Sequence, residues 1–204
     1  MGLHPDRNMA EKSAYRHWLV PTGIVLLSLL VAAGGDGARE WLRYDRLAIG
    51  SGEIWRLLSG HFAHLGLTHL ALNLAGLLLV WALVGRRLSA SIWLIVLSFT
   101  VAFISAGFWF IDKDLSWYVG LSGVLHGLLV CGAFVGLTQW RGESLLIILL
   151  VFGKIAYEQL AGPMPGSEFT SGGPVVVNAH FYGAIAGLIA GLPLWHRVER
   201  TGAI

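Results

Sequence analysis

Six apolar runs, each close to the ~20 residues a helix needs to cross a bilayer, divide this chain and leave mostly short connections between them. They cover roughly Trp18–Gly35, Leu67–Gly85, Ser91–Ile111, Val119–Thr138, Ser144–Leu160 and Pro174–Trp195. Charged residues make up 13% of the 204 positions, where a soluble domain carries about 25%. The expectation is an all-α integral membrane protein, a bundle of six transmembrane helices over residues 18–195. Residues 1–17 would form a cytoplasmic N-terminal segment and 196–204 a cytoplasmic tail. Arg7, Lys12 and Arg16 before the first run suggest a signal peptide, but no small-residue cleavage site leads into a soluble domain. The run is therefore expected to stay as a helix.

Basic residues orient the bundle. Arg7, Lys12, Arg16, Arg86, Arg87, Arg141, Arg197 and Arg200 fall on one side of a six-span arrangement, and Arg39, Arg43, Arg46, Arg56 and Lys113 on the other. The positive-inside rule then puts both termini in the cytoplasm. The longest outer connection, residues 36–66, carries Trp41, Tyr44, Trp55 and Phe62, rings suited to the headgroup level. Residues 161–173 are rich in Gly, Pro and Ser and predict a flexible loop. A net charge of +2 is too small to imply nucleic acid, and the single Cys131 allows no internal disulfide.

Polar side chains inside a membrane are costly and call for a reason. Three groups stand out. His69 and Asn73, four apart, share one helix face and offer inward hydrogen bonds, as a catalytic donor pair or an interhelical clamp. Ser122, in Gly120-Leu121-Ser122-Gly123, falls at the first turn of the fourth run, with His126 one turn on. Free N–H groups and the helix dipole there suit a nucleophile beside an oxyanion, and equally an N-cap. His180 in the sixth run is followed by Gly183, Gly187 and Gly191, a smooth stripe for close packing, matched by Gly123 and Gly127 in the fourth. Separately these are a clamp, a cap and a glycine zipper. Together they supply a nucleophile, a base and an oxyanion hole, which one catalytic function explains at once.

With these residues in place, the chain resembles the rhomboid family of intramembrane serine proteases, from Trp55 to Gly191. Trp55-Arg56 resembles the family's loop pair. His64, His69 and Asn73 resemble its second-helix motif, Gly120-Leu121-Ser122-Gly123 its Gly-x-Ser-Gly motif, and Ala179-His180 with Gly183 and Gly187 its last-helix motif. The resemblance implies a rhomboid-like bundle with Ser122 as nucleophile and His180 as general base. The Ser122 N–H, His69 and Asn73 would form the oxyanion hole, with His64, His126, Gly120, Gly123 and Gly183 in support. No Asp or Glu stands near His180 in sequence and Asn178 does not share its face, so a dyad is expected rather than a triad.

His126 stands where many rhomboids carry a tyrosine that stacks on the histidine. With the short chain, Lys154, Tyr157-Glu158-Gln159 and Gly172-Gly173-Pro174, this is most similar to the rhombosortase branch. That likeness implies substrates that are exported proteins with a C-terminal Gly-Gly motif, a membrane anchor helix and a basic cluster. It also implies a bacterial inner membrane, an active site open to the periplasmic side, and membrane lipid as the other partner. The alternatives are a rhomboid protease with other transmembrane substrates and a non-catalytic, client-binding relative. No cofactor is expected. No metal is expected either, because His61, His64 and His69 come without a His-Glu-x-x-His pattern. Lys154 and Glu158 are expected to pair with each other near the outer interface, His61 to face that interface, and Cys131 to pack as a small apolar residue.

Overall fold

A computed structural model describes residues 17–201. Arg7, Lys12 and Arg16, almost all of the 1–17 segment and the last three residues of the 196–204 tail lie outside the described residues. Each of the six apolar runs becomes a helix. Helix α1, Leu19–Ala33, turns through 117° into α2, Gly35–Leu42. The long connection then builds β1 (Tyr44–Asp45), α3 (Arg46–Gly50) and α4 (Arg56–Ser59). Helix α5, Leu67–Val84, runs into a 3-10 turn at Gly85–Arg87 and is followed by α6, Ala90–Phe110. Strand β2 (Trp117–Tyr118) precedes α7 (Ser122–Gly136), α8 (Arg141–Ala161), the short α9 (Ser167–Ser171) and α10 (Val177–Thr201).

Among the described residues, four helical segments are long and apolar enough to cross a membrane: Leu67–Arg87, Ala90–Phe110, Arg141–Ala161 and Val177–Arg200. The bent pair α1–α2 counts as a fifth span if taken as one. Helix α7, at 15 residues, is about 22 Å long, against a hydrocarbon layer of about 30 Å. The protein is therefore a multi-pass membrane protein, but the expected count of six full spans is not reached.

The shortfall has a local cause. Residues 119–121 were expected inside the fourth helix, yet β2 ahead of them pairs antiparallel with β1, Tyr118 opposite Tyr44. Gly120 sits at φ +132°, a conformation that side-chain-bearing residues rarely adopt, and its N–H donates to the Gly60 carbonyl. The helix can start only after it. At the other end of the chain, α10 continues past Trp195 to Thr201 in spite of Pro193, so the start of the expected tail is helical.

Helix α7 occupies the middle of the bundle, buried on nearly every side. Its closest neighbour is α10, and glycines let the two backbones approach. A Cβ at Gly183 would collide with the Gly123 carbonyl oxygen, and one at Gly187 with that of Gly127. The outer connection is tied down by two arginines. Arg46 donates to the carbonyls of Phe108, Trp109, Asp112 and Leu115, at the end of α6 and in the turn after it. Buried Arg56 pairs with Glu53 and donates to the carbonyls of Glu40 and Arg43. Phe108 packs between Tyr44 and Tyr118, so the tip of α6 holds the two-stranded ribbon that sets where α7 begins.

Candidate active site

Ser122 is the first residue of α7, and the preceding Leu121 is the N-cap. The Ser122 hydroxyl makes no capping bond. Its Oγ lies instead 2.9 Å from His180 Nε2 on α10. The glycine contacts between the two helices place these side chains together: Gly123 follows Ser122, and Ala179, whose carbonyl oxygen faces Gly123, precedes His180.

His180 Nδ1 has two neighbours on α8. Glu158 Oε2 is 2.9 Å away and Lys154 Nζ 3.2 Å. The other carboxylate oxygen, Oε1, accepts from Lys154 Nζ at 2.8 Å. A carboxylate only accepts, so the Glu158 contact puts the His180 proton on Nδ1 and leaves the Nε2 lone pair facing the Ser122 hydroxyl. This corrects one expectation and extends another. His180 has a carboxylate partner, supplied 22 residues earlier in sequence. The Lys154–Glu158 pair forms, and Glu158 is in addition buried at 2% exposure against His180. A charged pair in an otherwise apolar span was the available signal for this residue. Asn178, by contrast, turns away and donates to Asp112.

His126 stacks on the His180 ring, centroids 4.4 Å apart and planes 23° apart. Its Nδ1 donates to the Ser122 carbonyl at 2.7 Å, which fixes its own ring. His126 thus presents a flat ring to the histidine. On the other wall, His69 Nδ1 accepts from the Leu65 N–H at 3.3 Å, so its proton lies on Nε2. That ring edge lies against Gly120: a Cβ there would come within 3.1 Å of His69 Nε2. Asn73 Nδ2 donates to the His69 carbonyl at 3.0 Å and keeps a second N–H. Together with the first-turn N–H of Ser122, these donors border one cavity of about 330 Å³ lined by His69, Asn73, Ser122, His126, Lys154, Glu158 and His180. Its remaining walls are mostly apolar, including Leu72, Val80, Leu125 and Val176, and Ser167, Thr170 and Ser171 of α9 border it as well.

His64 supports this wall from outside, its ring edge-on to His69 at 5.2 Å. Burial and the neighbouring His69 push the His64 pKa down to about 4. His61 is not at the interface as expected. It is buried, with Nε2 3.0 Å from Ser105 Oγ, and burial pushes its pKa down to about 3. Tyr118, whose phenol burial pushes well above its ordinary value, donates to the Gly120 carbonyl and braces the turn before Ser122. Cys131 lies in the α7 core.

Chemically, the site holds a hydroxyl against an imidazole with a free lone pair. Several N–H donors line the same largely apolar cavity, and the imidazole is anchored at its far nitrogen. Such an arrangement suits acyl transfer by a serine nucleophile. The family model described as the Rhomboid domain matches residues 51–197 of the chain. No curated protein matches it.

Proposed function

The chain belongs to the rhomboid family of intramembrane serine proteases, and from that premise we propose that Ser122 and His180 carry its catalysis. The observation that supports this is the 2.9 Å contact between Ser122 Oγ and His180 Nε2 inside the donor-lined cavity. The Ser122 proton moves to Nε2 as Oγ bonds to the scissile carbonyl carbon. The oxyanion forms against the Ser122 N–H, His69 Nε2–H and Asn73 Nδ2–H. Collapse breaks the C–N bond, and His180 returns its proton to the leaving amine. The acyl-enzyme is then resolved by a nucleophile that His180 deprotonates in turn.

The substrates are exported proteins held by a C-terminal anchor helix and cut near a Gly-Gly motif, as in the rhombosortase branch. His126 and the Lys154 to Gln159 segment support that reading. So does physical chemistry, because a helical peptide bond is shielded by its own hydrogen bonds and a glycine pair loosens the helix. Both termini lie in the cytoplasm of a bacterial inner membrane, and α7 serves as a sixth, short crossing. Flush with the cytoplasmic side, a helix of about 22 Å ends several ångströms below the opposite surface, so Ser122 lies within the membrane and opens to the periplasm.

The test is co-expression with a reporter bearing a Gly-Gly, helix and basic-cluster tail, comparing wild type with Ser122→Ala and His180→Ala. Release by the wild type alone is expected. A wild type that cuts an ordinary transmembrane substrate but leaves this reporter whole retains the protease and removes the branch. No cleavage of either by folded protein favours a client-binding relative.

A further inference from the structure

We propose that Glu158 is the positioning carboxylate of this site, so that Ser122, His180 and Glu158 work as a triad, with Lys154 keeping Glu158 ionised. This rests on the reading of Ser122 and His180 as nucleophile and base. A serine–histidine pair works only when the histidine presents an unprotonated Nε2, and which nitrogen holds the proton is set by what Nδ1 meets. Two side chains compete for Nδ1. Lysine ammonium only donates, so a Lys154 bond to Nδ1 would drive the proton to Nε2, and the Ser122 oxygen would face a donor instead of a base. Glu158 prevents this with both oxygens. Oε2 accepts from Nδ1 at 2.9 Å, and Oε1 holds Lys154 Nζ at 2.8 Å.

His126 cannot do the same work. It touches the flat face of the His180 ring and fixes its plane, but makes no bond to either ring nitrogen. Nor is the Lys154–Glu158 pair complete by itself. The Glu158 side chain is 2% exposed, and Lys154 satisfies one oxygen only. A buried carboxylate oxygen needs a donor, and His180 provides it. During catalysis the Ser122 proton passes to Nε2, His180 becomes an imidazolium, and the Glu158 charge stabilises it without accepting the proton.

The experiment follows labelling of purified, detergent-solubilised full-length protein by a fluorophosphonate, in which Ser122 Oγ bonds to phosphorus, fluoride leaves and the hydroxyl proton goes to His180. Rates at several probe concentrations separate kinact from KI, and Ser122→Ala sets the background. Glu158→Gln keeps the shape but loses the charge. Lys154→Leu combined with Glu158→Leu removes both charges together, so no unpaired ion is left to unfold the helix. In both variants kinact is expected to fall ~100-fold or more with KI within about twofold, as for loss of a triad carboxylate. Glu158→Asp should recover part of the loss. A double-leucine variant that labels at the wild-type kinact, or a loss confined to KI, overturns the proposal while leaving Ser122 and His180 in place. A wild type no more reactive than Ser122→Ala overturns the dyad reading and this inference with it.

Discussion

Gly123 tests whether helix contact sets the distance between nucleophile and base. A Cβ at Gly123 would lie 2.7 Å from the Ala179 carbonyl oxygen, where ordinary contacts begin at 3.4 Å. In Gly123→Ala, α7 and α10 must therefore separate by about 0.7 Å at that level, for want of any softer neighbour to yield. Gly123 adjoins Ser122 and Ala179 adjoins His180, so the same displacement acts on the 2.9 Å contact between them. It opens to about 3.6 Å, past the ~3.2 Å at which an ordinary hydrogen bond ends. Misplacement of reacting groups by about 1 Å costs roughly 100-fold in rate, so a loss of about 30- to 100-fold is expected.

Stability should move much less. Overpacking costs about 1–3 kcal/mol, and alanine returns about 1 kcal/mol of helix propensity. The assay is the fluorophosphonate labelling rate and reporter cleavage, measured beside thermal unfolding in detergent. Gly153→Ala is the control: its Cβ would meet nothing within 4 Å, so it takes the same propensity gain with activity unchanged. A Gly123→Ala protein that labels and cleaves at the wild-type rate refutes the reasoning, because the glycine contact would then not govern the Ser122–His180 distance.

His126→Leu removes a stacked ring at 4.4 Å and the 2.7 Å bond to the Ser122 carbonyl. With the His180 plane no longer fixed, kcat is expected to fall by on the order of 10-fold, with His126→Phe intermediate; equal rates for all three proteins would remove the ring from the mechanism. Acid should loosen the fold through His61 and His64. Burial holds them near about 3 and about 4, against about 6.5 when unfolded, so the unfolded chain takes up protons first. Their stabilisation is complete above about pH 6.5 and falls as the pH drops, by about 2 kcal/mol per histidine at pH 5. Thermal unfolding in detergent from pH 7 to 5 measures it. His61→Gln, which cannot take up that proton, should show a shallower slope, and a flat wild-type profile would show that neither histidine is held neutral.

Much of this architecture is written in one dimension. Apolar runs longer than a soluble helix needs predict the helices to within a few residues. The glycine spacing after His180 and around Ser122 predicts which two helices touch, because only side-chain-free faces bring backbones so close. The start of α7 is a different case. It depends on Tyr118 pairing with Tyr44, a contact across 74 residues, and no periodicity inside 119–138 records it. His61 was misplaced for a similar reason. A histidine in an aromatic loop looks interfacial until a partner for its ring nitrogen is known, and Ser105 comes from another helix.

Glu158 is the more instructive omission, because a local explanation was available and was incomplete. Lys154 lies one turn away and pairs with it, which removes the apparent need for any other partner. Counting donors against acceptors rather than charges gives a different answer. One lysine bond occupies one oxygen, and a carboxylate has two. At a surface, water takes the second; at 2% exposure a protein donor does. A glutamate buried in a spanning helix therefore requires a second donor from a neighbouring helix, even when its charge is already balanced. In this bundle the donor that meets it is a histidine whose other nitrogen faces a serine. Charge balance made the pair look finished, and hydrogen-bond valence shows why it reaches into the site.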